Sequence, residues 1–151
     1  MLEKAARRAA AGAGVKLERV VLVDHGSPNP NVTRVRRALA ARLRKLLEPA
    51  LVWDASMERR PEPMYAFNDP LLENVFDLGG LSQVSGHVVV VPAFLFAGNH
   101  AGVGGDLDNI LARVRAKHPE LDVTFAGLLM DADNDAEVVA LLEGRLKAAL
   151  L

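Results

Sequence analysis

The chain has 151 residues, half of them apolar and a quarter charged, with a formal net charge of -1 and no cysteine. That length fits one domain with a real core, and the balanced charge excludes a whole-protein field for nucleic acid. The missing thiol excludes disulfides, thiolate metal sites and cysteine nucleophiles, so any metal needs imidazole, carboxylate or carbonyl ligands.

Residues 1–17 carry basic residues followed only by alanine and glycine, and Lys16, Glu18 and Arg19 come at once. This is no secretory signal peptide; it reads as a flexible or helical lead-in to a single α/β domain over 18–151. No run approaches the roughly 18 consecutive apolar residues of a spanning helix, so the expected compartment is the cytoplasm, away from membrane. RVVLVD, 19–24, predicts a strand. Over 31–48, Val32, Val35, Leu39, Leu43 and Leu46 follow helical spacing, and Pro49 stops the helix.

ALVWDASM, 50–57, predicts a second strand, and ERRPEPMYAFNDP after it a Pro-rich loop. Asp69 and Pro70 look like the N-cap and first residue of a helix over 70–78, ended by Gly79-Gly80. HVVVVPAFL, 87–95, has the unbroken valines of a central parallel strand buried on both faces. FAGNHAGVGGD is a glycine-rich loop into a helix over 107–117, with Leu107, Ile110, Leu111 and Val114 on one face. A strand over 121–129 precedes a closing helix over 137–150, expected to turn Val138, Leu141, Leu142 and Leu146 inward.

This alternation predicts an α/β fold: a flavodoxin-like, doubly wound, four-stranded parallel sheet in the order 2-1-3-4 with helices on both faces. Strands one and three are then neighbours, and the crevice between their carboxyl ends is the topological switch point where ligands bind. His25 follows strand one, and His100 lies a few residues beyond strand three, so the topology sets both over that crevice. Gly26, Gly98 and Gly102 beside them let the backbone approach a ligand or take positive φ.

A lone histidine at a strand end is more often a hydrogen-bonded surface residue than a ligand, and His87 and His118 stay in that class. For the pair, several chemistries compete. Asp24, His25 and Ser27 could suggest a small Ser/His hydrolase, but they are sequence neighbours where triad members must converge. The G-x-S-x-G elbow is absent, as is the arginine a histidine phosphatase needs before its histidine. G-x-G-x-x-G is missing after strand one, and GVGGD is a turn into a helix. Two neutral imidazoles suit Co²⁺, Fe²⁺ or Ni²⁺, held loosely enough to hand on.

The strand ending in HGS (residues 20–27) and the later VVPAFLFAGNH (residues 90–100) resemble the class II chelatases of the sirohydrochlorin cobaltochelatase/ferrochelatase (CbiX-like) family. The resemblance covers nearly the whole chain from about residue 18. It implies a chelatase-like fold and ATP-independent insertion of Co²⁺ or Fe²⁺ into sirohydrochlorin or a related tetrapyrrole, in cobalamin or sirohaem synthesis. It also implies a homodimer, with the divalent metal as substrate and no tightly bound cofactor. The family's metal-handling histidines correspond to His25 and His100, and its acidic residue to Glu58. Ser27, Arg34, Arg59, Phe96, Gly98 and Asn99 are then the expected contacts to an anionic macrocycle.

Two features depart from the family pattern. Asp24 stands where glycine usually precedes HGS, placing a carboxylate that could add a ligand or raise the pKa of His25. The loop 58–70 is long and Pro-rich, fit for a lid or a dimer arm. A non-catalytic carrier of metal or tetrapyrrole on the same fold is the rival reading, with the hydrolase behind it.

Overall fold

A computed structural model describes residues 1–79, 81, 86–96, 98–102, 104–130 and 135–150, the side chain of Asn99 apart. Four strands, β1 (Arg19–Asp24), β2 (Leu51–Ser56), β3 (Gly86–Pro92) and β4 (Leu121–Phe125), form one parallel sheet. The order is β2-β1-β3-β4, as the alternation predicts, with Val21 beside Trp53 on one side and Val90 on the other.

Both faces of the sheet are covered. Successive side chains point to opposite faces, so Val21, Val23, Val88 and Val90 meet one layer while Val20, Leu22, Val89 and Val91 meet the other. Each of these eight residues is at most 1% exposed, which is why the two central strands read as continuous aliphatic runs. Burying such a side chain contributes about 1.5–3 kcal/mol.

The first layer is α3 (Leu72–Val75) and α5 (Asp106–Lys117), the latter bringing Leu107, Ile110, Leu111 and Val114 as expected. The second is α1 (Leu2–Gly12) and α2 (Pro30–Leu46). Asn29 caps α2 by accepting from the Asn31 backbone N–H at 3.0 Å, and Pro30 opens it. The lead-in proves packed rather than loose. Ala5, Ala6 and Ala10 are buried, their small side chains bringing α1 close against the sheet.

Several expected elements differ. The helix over 70–78 contracts to four-residue α3: Leu71 runs extended beside Ser56, with Pro70 O accepting from Ser56 N–H at 3.0 Å, and Asp69 pairs with Arg59 Nε at 2.8 Å instead of capping. Gly80 lies outside the described residues. Within the expected loop 58–70, Pro63–Asn68 forms a 3-10 helix. The strands over 87–95 and 121–129 end early, at Pro92 and Phe125, where the β1–β3 ladder stops at Val23 and Pro92 and the β3–β4 ladder at Val90 and Phe125.

The closing helix forms as α6 (Asp135–Ala149), but it buries only Val138. Leu141, Leu142 and Leu146 are exposed, not inward, because α6 leans on the domain by its first turn, where Lys4 pairs with Glu137. No helix among the described residues is long and apolar enough to cross a membrane.

Candidate metal-handling site

His25 leaves the end of β1, and His100 sits in α4 (Gly98–Ala101), a four-residue helix beyond β3. The β1–β3 pairing brings them together: their ring centroids are 4.5 Å apart and the planes meet at 76°. Both are about half exposed at the carboxyl edge of the sheet. His25 Nδ1 lies 3.3 Å from the Gly26 carbonyl. That oxygen can only accept, so the contact suits a proton on Nδ1, the tautomer that leaves a lone pair on Nε2. Glu58 Oε1 stands 3.7 Å from this Nε2. His100 Nδ1 meets Asp106 Oδ2 at 2.6 Å.

A cavity of about 360 Å³ is lined by both histidines with Phe94, Leu95, Phe96 and Gly98. Phe94 meets His25 edge-on at 6.5 Å, and Phe96 is 69% exposed, an aromatic face turned to solvent. Gly98 adopts φ +50°, the left-handed turn that starts α4. A second cleft, of about 620 Å³, holds Glu58 and Asp106, the partners of the two histidines, with Arg59, Glu73 and Arg113.

The β1–β2 ladder continues past the strand ends. Met57 N–H donates to Asp24 O at 2.7 Å and Glu58 N–H to His25 O at 3.2 Å, so Glu58 is fixed relative to His25 by backbone. Gly26 has φ +91°, and a Cβ there would fall 2.0 Å from the Glu58 carbonyl oxygen. The glycine therefore serves contact between two loops, whatever room it also leaves for a ligand. Buried Asn68 clamps the turn: it accepts from Ser27 N–H at 3.1 Å and donates to Ser27 O at 3.0 Å and Tyr65 O at 3.1 Å.

Asp24, which could have added a ligand beside His25, is tied into the protein through one of its oxygens. Its Oδ1 takes Arg36 Nη1 at 3.1 Å and the Gly26 N–H at 3.2 Å. Arg36, only 1% exposed, also binds Asp54 at 3.0 Å and touches Ser56 Oγ. A charge buried in water's absence must be paired, and Asp24 with Asp54 supplies that pairing. Ser27 Oγ accepts from Asn29 N–H at 3.1 Å, a local turn bond. Asp24, His25 and Ser27 thus point to three different partners, and no hydrolase triad is assembled.

The remaining expected contacts are scattered. Arg59 lines the cleft beside Glu58 but is tied to Asp69. Arg34 is exposed, donates to Asn31 Oδ1 at 3.0 Å, and lines neither space. The side chain of Asn99 lies outside the described residues. Sequence reasoning missed Asp106, Asn68 and Arg36. Arg42 lines an apolar groove of about 340 Å³ between α1 and α2, which meets the histidine cavity at Ala93. Among the described residues no three histidine or carboxylate side chains form a ready-made metal cage.

The parallel sheet defines an α/β protein with two imidazoles paired at its switch point. The CbiX family model matches residues 19–149, and the chain belongs to the CbiX family, a family of metal chelatases. Among solved structures it is similar to a protein of Marinobacter aquaeolei VT8 described as a cobalamin (vitamin B12) biosynthesis CbiX protein. That likeness has a TM-score of 0.64 at 20% identity, covering 90% of this chain and 100% of the other, and it shows a shared fold. No protein of curated function matches the chain.

Proposed function

We propose that the protein inserts a divalent metal, Co²⁺ or Fe²⁺, into sirohydrochlorin or a related tetrapyrrole without ATP, acting as a cytoplasmic homodimer in cobalamin or sirohaem synthesis. Ni²⁺ also suits the ligands. The observation that carries this reading is the pair of imidazoles facing each other at 4.5 Å beside an aromatic-lined cavity.

Each insertion exchanges one M²⁺ for two pyrrole protons. The Nε2 lone pairs of His25 and His100 are the metal donors, and imidazole accommodates all three candidate ions. Two protein ligands leave water on the ion to be displaced by pyrrole nitrogens, so the metal is held and released rather than caged. Glu58, fixed 3.7 Å from His25 Nε2, accepts a departing proton or steadies the ring. Phe94 and Phe96 offer faces for the flat macrocycle, and Gly98 adds no side chain above it. The macrocycle's carboxylates need cations at the rim. Arg42 in the adjoining groove, Arg59, Arg34 and the amino end of α2 can meet them. Asn99 and the Ser27 turn complete the rim.

The test is anaerobic absorbance of sirohydrochlorin with Co²⁺, Fe²⁺ or Ni²⁺, comparing wild type with His25→Ala and His100→Ala. Wild type should convert the pigment well above the spontaneous rate, and each variant should fall by about 100-fold or more while staying folded. No acceleration with any metal would sink the sirohydrochlorin reading. Binding of metal and pigment without turnover would favour the carrier.

A further inference from the structure

The geometry points to Asp106 as a positioning residue for His100: it holds the imidazole in the Nδ1–H tautomer so that Nε2 faces the metal as a donor. This rests on the proposed role of the histidine pair and adds a residue to it.

The 2.6 Å contact between His100 Nδ1 and Asp106 Oδ2 is the shortest polar contact of either site histidine among the described residues. A carboxylate oxygen accepts, so Nδ1 carries the hydrogen, and in the neutral imidazole Nε2 is then the lone-pair nitrogen. His100 Nε2 has no polar partner among the described residues, which leaves it for an incoming ion.

The two histidines are held by different means. His25 is fixed by backbone, because the β1–β2 ladder runs past it to Glu58. Among the described residues, His100 has no such support. Its helix has four residues, begins at Gly98 with φ +50°, and is followed by Gly102 and by Gly104 with φ +73°. Asp106 supplies what the backbone does not. It opens the twelve-residue α5, whose Leu107, Ile110, Leu111 and Val114 are buried, so the carboxylate stands on a packed platform. A negative charge is also favoured in the first turn of such a helix. Asp108 Oδ2, one step further on, takes the Gly104 N–H at 2.8 Å and fixes the same loop. Orienting partners of this kind typically change metal affinity or activity by about 10–100-fold.

A plain surface ion pair that clips the glycine loop would alter stability a little and leave the metal chemistry alone. The experiment must separate the two. Wild type, Asp106→Ala, Asp106→Asn and His100→Ala are compared by ¹⁵N imidazole NMR at about pH 8, above the ordinary imidazole range. The same proteins are titrated with Co²⁺ by absorbance and assayed for insertion.

Wild-type His100 should be Nδ1–H. Asp106→Ala should mix the tautomers, weaken Co²⁺ binding and lower kcat by about 10–100-fold, and leave KM for the pigment unchanged. Asp106→Asn keeps an acceptor without the charge and should lie between. An Nε2–H tautomer in the wild type would overturn the inference, independent of how any variant folds. So would Co²⁺ affinity and kcat within twofold of wild type in Asp106→Ala when His100→Ala has lost both. If His100→Ala itself keeps both, the reading of the pair fails instead.

Discussion

At the scale of single residues, the site depends on groups that never face the ligand. Asn68 is 1% exposed and satisfies both the N–H and the carbonyl of Ser27. Replacing it with alanine strands those backbone groups in a buried place. The expected loss is about 1–3 kcal/mol in urea unfolding, with a fall in insertion rate because His25 sits two residues from the released turn. Lost stability with an unchanged rate would show that the turn holds its shape without Asn68. His25 and His100 were legible in the sequence because their position follows from strand order. Asn68 was not, because an asparagine in a Pro-rich loop carries no mark of the partner it will find. Asp106 was hidden differently: in GVGGD it reads as the start of a helix, and only the fold curls that start back to His100.

At the scale of elements, α2 is joined to the β1–β2 side of the sheet through Arg36 and its buried ties to Asp24, Asp54 and Ser56. Arg36→Ala removes the shared cation and leaves two carboxylates facing each other's field. Unfolding free energy should fall by about 3–5 kcal/mol, and neutralising both acids as Asp24→Asn with Asp54→Asn in an Arg36→Met background should restore most of it. A single-variant loss below about 1 kcal/mol would contradict this account. Nothing in the run of basic residues along α2 singles out Arg36 for burial. The sheet order, by contrast, was readable, since valines at 88–91 admit no solvent face. The helix over 70–78 starts late because Pro70 and Leu71 extend the sheet edge beside Ser56, a long-range contact that no local cap signal shows.

At the scale of the molecule, α6 is the feature out of balance. Its leucines recur at helical spacing, which says that an apolar face exists and not what covers it; the inward packing expected from that spacing does not occur. Val139, Leu142 and Leu146 share one side of the helix and, with Leu141 on the other and Leu150 beyond its end, stay between 45% and 77% exposed. The homodimer proposed above gives this face a place to go. Sedimentation should find wild type at twice the chain mass, and Leu142→Glu with Leu146→Glu at one chain mass with its sheet intact. Wild type running as a single chain would dispose of the dimer.

The contact at Gly26 has a bearing on what a motif is. His25-Gly26-Ser27 reads along the chain as a local signature, three letters at the end of a strand. Its middle letter is decided elsewhere, by the carbonyl of Glu58 pressing within 2.0 Å of where a side chain would begin. The glycine is thus an imprint left in one loop by the other. The signature and the acid that accompanies it are two halves of a single shape, and the text of the first half already carries the outline of the second.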